Sequence, residues 1–441
     1  MPSRLTVLAA VAASVAVLLP GASPAYAKTN FGVPAMGWSS WSVESSTRAT
    51  YGTSWLTESH VEGAADAVAS KLKSAGYRYI DIDSGWNADM SFNGHTDGNG
   101  IPDPDPTRFP DGISGVANYV HNEGLLLGLY TTVGLDKGVY DKNAPIAGTS
   151  CHTQDIAQQP LTATNGWGSS WKINYGNSCA QAYINSVVDK FASWGVDLVK
   201  VDGTTTDSVP DIQAFSKAID QSGRGMWLTT SAWPVPQSIE SQLSSYTNDV
   251  RIDTDVECYC GTLATWSGAV TARWNDLPNW LSGLQPGYFP DLDSMPISNN
   301  SGSAIQDGIT STERQSVMTF WSMASAPLYV GGDVYFLDSG AVSILTNPEV
   351  VAVDQSARFP TRITSGNQQK WRKQLPDGSW AVAVYNLGSS SADITVNWSD
   401  LGISGSHAVR DLVSRTDLGS ANGSWTATAV PAHGSRLIKV T

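Results

Sequence analysis

Charged residues recur two positions apart at the ends of short apolar runs: Asp81-Ile82-Asp83, Lys200-Val201-Asp202, Arg251-Ile252-Asp253-Thr254-Asp255 and Asp291-Leu292-Asp293. Side chains alternate on a β-strand, so a spacing of two puts each set on one face. An unpaired ion on a buried face costs several kcal/mol. Four such strands meeting at one place therefore point to a polar pocket. Two carboxylates facing each other across a sugar can cleave a glycosidic bond. One must be ionised to attack the anomeric carbon, and the other must hold a proton for the leaving oxygen. The chain also carries 17 Trp and 15 Tyr, whose flat faces suit sugar rings as well as a core.

The element that must position this chemistry is Trp194-Gly195-Val196-Asp197-Leu198-Val199-Lys200-Val201-Asp202-Gly203. It reads as a buried parallel strand entered from a helix that stops at Gly195. Leu198, Lys200 and Asp202 share one face, and Val199 and Val201 the other. Around it strands and helices alternate from Phe31 to about Gln355. Strands are predicted over 33–38, 77–83, 125–130, 198–202, 226–231, 250–255, 288–293 and 327–330. Helices are predicted from a capping box at Ser59-His60-Val61-Glu62 up to Gly76, over 112–123, and through Tyr183, Val187 and Phe191. Eight strand candidates with helices between them predict an α/β fold, a (β/α)8 barrel whose active site lies at the carboxyl ends of the strands. A doubly wound open sheet is the alternative, but no Gly-rich phosphate turn follows the first strand. After about Ala357 short alternating segments such as 380–386, 391–397 and 435–440 predict an antiparallel β-sandwich, read as a cap on the barrel. The expected division is a leader at 1–27, a catalytic barrel at 28–356 and a sandwich at 357–441.

The leader follows from Arg4, an apolar run from Leu5 to Leu19, and the small-residue site Ala25-Tyr26-Ala27, which together predict secretion. No later stretch has membrane-spanning length. Acidic residues outnumber basic ones 40 to 26 with no basic block, which argues against nucleic acid and anionic membranes as partners. Export favours disulfides. Cys151 with Cys179 would tie one long loop, while Cys258 and Cys260 can bridge each other or pair elsewhere. No paired His supports zinc, and Asp97, Asn99, Asp103 and Asp105 lack the EF-hand spacing, so no metal or organic cofactor is expected. His121 reads as a packed helix residue, Asp81 as structural, and Asp253 as a salt-bridged neighbour of the site.

A set of short motifs resembles glycoside hydrolase family 27, the α-galactosidase and α-N-acetylgalactosaminidase group. They are Met36-Gly37-Trp38, Gly76-Tyr77-Arg78-Tyr79-Ile80 with Asp83 and Trp86, Arg108-Phe109-Pro110-Asp111-Gly112, Tyr119-Val120-His121, Gly128-Leu129-Tyr130, Trp194-Gly195-Val196-Asp197 with Lys200 and Asp202, Ala326-Pro327-Leu328 and Asn347-Pro348-Glu349-Val350-Val351-Ala352. The resemblance implies a (β/α)8 barrel with a C-terminal sandwich. It implies Asp202 as nucleophile, and Asp255, four residues after a pocket Arg251, as acid/base. It implies sugar contacts from Lys200, Asp83, Tyr130, Arg251, Ser84 and Trp233, a wall at Trp41, and support of the acid/base by Asp293.

Two positions depart from the galactose-specific pattern. Ser84 stands where those members carry a second aspartate for the axial 4-hydroxyl and the 6-hydroxyl, and Ala232 stands where they carry a Glu for the 2-hydroxyl. The expected protein is a secreted, retaining, exo-acting glycoside hydrolase on α-galactose-type units of an oligo- or polysaccharide. An isomalto-dextranase-like enzyme and a β-L-arabinopyranosidase are the neighbouring alternatives, and a silent carbohydrate-binding protein is the alternative of another class.

Overall fold

The computed structural model describes residues 28–87 and 94–441; the leader at 1–27 lies outside the described residues. Eight strands, β1 Met36–Ser39, β2 Tyr79–Ile82, β3 Leu126–Thr132, β4 Leu198–Asp202, β5 Trp227–Thr230, β6 Asp249–Arg251, β7 Phe289–Asp291 and β8 Leu328–Val330, form one sheet. Their order is β7-β6-β5-β4-β3-β2-β1-β8, and every pair is parallel. A parallel bridge between Met295 and Val330 joins the two ends; the Met295 amide donates to the Tyr329 carbonyl at 2.6 Å and the Gly331 amide to the Met295 carbonyl at 3.1 Å. The sheet is therefore closed into the expected (β/α)8 barrel. Helices follow the strands: α1 Glu58–Lys71, α2 Gly112–Asn122, α3 Ser178–Trp194, α4 Val209–Ser222, α5 Thr271–Trp280, α6 Ser311–Ala324 and α7 Pro348–Asp354, with only the short turn Glu240–Leu243 after β5. No described helix is long and apolar enough to cross a membrane.

The period of two sorts the barrel interior. Ala35, Tyr79, Leu198, Trp227, Phe289 and Tyr329 form an apolar floor. One step up each strand come Asp81, Lys200, Thr229, Arg251 and Asp291, which surround a small polar space. One step further come Asp83, Tyr130, Asp202 and Ser231, which reach the open cavity. Val199 and Val201 point outward into the core under the helices.

Local differences from the sequence reading have local causes. Helix α1 begins two residues early, because the Thr57 hydroxyl, on extended backbone, accepts from the His60 amide; the expected box at Ser59 is absent. Strand β6 ends at Arg251 rather than Asp255. The Asp253 carboxylate accepts from the next amide, Thr254, at 2.7 Å, a turn contact that competes with the ladder. Arg251, Asp253 and Asp255 therefore do not share a strand face.

The C-terminal sandwich packs a six-stranded sheet against a two-stranded one. Its strand Trp380–Asn386 shows how alternation joins two cores. Ala381, Ala383 and Tyr385 belong to the barrel core, while Val382 and Val384 face the sandwich interior. Phe320 of α6, Trp274 and Tyr385 stack in this seam, with centroids 4.2 Å apart for Trp274–Phe320 and 5.4 Å for Trp274–Tyr385. Both possible local disulfides form, Cys151–Cys179 and Cys258–Cys260.

Candidate active site

A cavity of about 240 Å³ opens at the carboxyl ends of the barrel strands. Asp202 and Asp255 both line it, together with Trp41, Asp83, Ser84, Tyr130, Lys200 and Trp233. Arg251 and Asp293 sit just beneath, against the polar space under the floor of the cavity.

On one side of the cavity, strand β4 delivers Lys200 and Asp202 from below. Lys200 Nζ donates to Asp83 Oδ2 at 2.6 Å with both side chains buried. The Asp83 backbone is held by its amide donating to Ser40 Oγ at 2.9 Å. Burial alone would lower the Lys200 pKa, but Asp83, with Asp202 and Asp81, more than reverses that and keeps the ammonium charged. Asp202 Oδ1 accepts from the Gly203 amide at 2.7 Å. Gly203 is required there. Its φ is +75°, and a Cβ would come within 2.5 Å of the Asn165 Cβ, so no side chain fits at this bend. The Tyr130 hydroxyl lies between Asp202 and Ser84 and hydrogen-bonds both. Burial pushes the Asp202 pKa up, with Asp83 and Asp255 adding to it and Lys200 and the Gly203 amide opposing.

The side that carries Asp255 is built on a loop. After β6 the chain bends so that Arg251 Nη1 reaches Asp255 Oδ1 at 2.8 Å and Asp293 Oδ2 at 2.9 Å. Asp293 adopts a left-handed backbone, φ +72°, and its carboxylate also accepts from the Val256 amide at 2.8 Å. The Tyr259 hydroxyl donates to Asp255 Oδ2. Tyr259 sits between the bridged Cys258 and Cys260 at φ +50°, with its ring edge-on to Trp41. Burial of Asp255 favours its neutral form, but Arg251, Tyr259 and Trp233 outweigh it and hold the pKa below the usual carboxylate value. Asp255, Glu257 and Asp293 form a triad of acids. Arg251 lies among them as counter-charge, and burial beside Asp293 and Asp255 pushes Glu257 well up.

Of the two carboxyls, Asp202 is the more easily protonated and Asp255 the more easily ionised. Contact with Arg251 and Tyr259 outweighs burial at Asp255, whereas Lys200, paired with Asp83, only partly offsets burial at Asp202.

Other sequence expectations resolve as follows. Asp253 turns to Arg273 at 3.5 Å and does not line the cavity. Asp81 lies below the cavity, where burial raises its pKa to about 7. His121 pairs with Asp197 at 2.8 Å, and Asp97 caps its own loop through the Asn99 and Ile101 amides. Ala232 is buried in the core, and its neighbours Ser231 and Trp233 face the cavity instead. The sequence reading missed Tyr259 and Trp167, which both line the cavity. Cys-Tyr-Cys was a readable sign for Tyr259; Trp167, on the loop tied by Cys151–Cys179, carried none.

Residues 33–144 and 166–356 match the family model described as alpha galactosidase A, and 365–440 match the alpha galactosidase C-terminal beta sandwich domain. The chain is 30% identical to an alpha-galactosidase of Coffea arabica over 417 residues, 92% of this chain and 93% of the relative. A family 27 β-L-arabinopyranosidase from Geobacillus stearothermophilus superposes with a TM-score of 0.84 at 27% identity, covering 93% of this chain and 97% of that one. For alpha-galactosidase I from Mortierella vinacea the TM-score is 0.72 at 27% identity, with the same coverage of 93% and 97%. The chain belongs to glycoside hydrolase family 27, and its clustered acids are those of a hydrolase of that family.

Proposed function

We propose that the protein is a secreted, retaining exo-glycosidase that removes terminal α-galactose-type units from an oligo- or polysaccharide. The observation that carries this is the cavity itself: two carboxylates from different strands, Asp202 and Asp255, line one closed-ended space walled by Trp41, Trp167, Trp233 and Tyr259. The leader sequence and two disulfides support export.

The terminal ring enters with its hydroxyls on the Lys200–Asp83 pair. A ring that fills the cavity excludes water and deepens the burial of Asp255, which with the neighbouring Asp202 charge favours its protonated form. Asp202, still beside Lys200, is then the ionised partner. It attacks the anomeric carbon as Asp255 gives its proton to the leaving oxygen. A covalent glycosyl ester forms on Asp202. Asp255, now a base, takes a proton from water, which attacks the same carbon and releases the sugar with its configuration kept.

A β-L-arabinopyranosidase is the second reading. That sugar is the galactose-type ring without its hydroxymethyl arm. Ser84 is short and neutral where a second carboxylate would grip the 6-hydroxyl, and the arabinopyranosidase from Geobacillus superposes better than the Mortierella galactosidase, 0.84 against 0.72. A panel of p-nitrophenyl α-galactoside, α-N-acetylgalactosaminide, β-L-arabinopyranoside and isomaltosyl substrates, with dextran, decides between them. Turnover is expected on the α-galactoside or the β-L-arabinopyranoside. Exclusive action on dextran would overturn the galactose-type reading, and no turnover on any of them the enzymatic one.

A further inference from the structure

We propose that a second cavity, between the loop after β1 and the turn after β8, binds a saccharide unit remote from the bond that is cleaved. The inference rests on the reading of the protein as a glycosidase. Among the described residues, five Trp, Tyr and Phe side chains are exposed: Trp167, Trp233, Tyr259, Tyr335 and Phe336. The first three line the active-site cavity. The other two line the second cavity, of about 990 Å³. Leaving a large apolar side chain in water forgoes about 1.5–3 kcal/mol of burial, and among the described residues the exposed aromatic rings all lie at these two cavities.

The second pair of rings is held in place. Tyr335 and Phe336 occupy one helical turn, with centroids 6.3 Å apart and planes inclined by 49°. Asp333 fixes the turn, with Oδ1 accepting from the Tyr335 amide at 3.2 Å and Oδ2 from the Tyr51 hydroxyl at 2.8 Å. Lys71 Nζ donates to the Val334 and Tyr335 carbonyls at 3.1 and 2.7 Å. The Tyr335 ring lies directly on Gly63, where a Cβ would meet its Cε2 at 2.7 Å. Arg48 and His60 complete the rim. Exposed ring faces with the Arg48 guanidinium beside them match the two sides of a pyranose, its C–H face and its hydroxyl edge.

The loops that flank the two cavities are also joined by hydrogen bonds. The Thr47 amide and Ser46 Oγ donate to the Cys260 carbonyl at 2.9 and 3.0 Å. The disulfide loop that aims Tyr259 at Asp255 is thereby tied to the segment that carries Arg48. A polysaccharide held on Tyr335 and Phe336 would keep its chain ends near the catalytic cavity.

The test uses the full chain carrying Asp202→Ala, run through native gels containing galactomannan, arabinogalactan or dextran. Retardation is expected in at least one gel, and Tyr335→Ala with Phe336→Ala should weaken it about tenfold. Gly63→Ala, which shifts the Tyr335 ring without removing it, should weaken it in the same gel. In the chain with Asp202 intact, the double variant should keep kcat/KM on the p-nitrophenyl substrate within about twofold while polysaccharide hydrolysis falls. Unchanged retardation in the double variant, or none of the parent in any gel, would overturn the proposal. Loss of retardation in a chain that turns over no glycoside would sink the enzymatic reading alone.

Discussion

Among the described residues two lysines are buried, and burial has opposite outcomes for them. Lys200, at the mouth of the barrel, touches Asp83 at 2.6 Å and has Asp202 and Asp81 nearby, so its pKa rises despite burial. Lys373, in the seam between barrel and sandwich, donates to the Ser322 and Val353 carbonyls at 2.8 and 2.9 Å and to Ser325 Oγ at 2.8 Å. Burial pulls its pKa down from 10.5 to about 7, with Asp354 giving partial relief. Neutral dipoles satisfy a lysine's hydrogen bonds without matching its charge. Of these two places, the cavity alone supplies enough carboxylate to keep its ammonium ionised.

If that contrast holds, the largest effect belongs to Lys200→Met. It removes the cation that keeps Asp202 ionised, and kcat/KM should fall by about 10²–10³-fold with the fold intact by circular dichroism, the usual cost of losing one preorganised charge from a site. A loss below tenfold would break the contrast. Ser84→Asp adds a carboxylate to the same wall. It should move the ratio of kcat/KM for α-galactoside over β-L-arabinopyranoside upward about tenfold, the worth of one charged hydrogen bond; an unchanged ratio would remove Ser84 from specificity.

Tyr259→Phe sharpens the comparison on the acid side. The tyrosine hydroxyl stabilises ionised Asp255, so its loss raises the Asp255 pKa. Activity requires Asp255 protonated, so the basic limb of the pH–rate profile should move up by about one unit. A shift to lower pH would contradict the assignment.

Lys373→Met should leave kinetics untouched. It should destabilise the fold by about 1–3 kcal/mol, because three acceptors lose their donor. The folded Lys373 sheds its proton near pH 7, whereas the unfolded chain keeps it to 10.5. The wild-type lysine therefore contributes more stability as pH rises through that window. The gap between wild type and variant in urea unfolding should be wider at pH 9 than at pH 6.5.

Much of the barrel was legible because its strands are short, buried and strictly alternating. Leu198, Lys200 and Asp202 fall on the interior face by period alone, and Asp81, Asp83 and Asp291 follow the same rule. Legibility stopped where the chain leaves the sheet. Asp255 reaches the cavity through a loop whose course depends on the Cys258–Cys260 bridge and on left-handed Tyr259 and Asp293, and a period of two carries none of that. Ala232 illustrates the same limit: matched by motif to a sugar-facing position, it packs into the core, and Ser231 faces the cavity. The proton preference of the acid pair was also out of reach, because Arg251 sets it from across the site. Thr57 was a simpler miss, one capping hydroxyl preferred over another two residues on.

The most direct test of the paired carboxylates is azide rescue of Asp202→Ala and Asp255→Ala, with the anomeric configuration of each glycosyl azide read by proton NMR. Without Asp202, azide should attack the substrate itself and give the inverted azide. Without Asp255, azide should attack the glycosyl ester on Asp202 and give the retained one. The reverse pairing, or the same configuration from both variants, would contradict the roles assigned to these two residues.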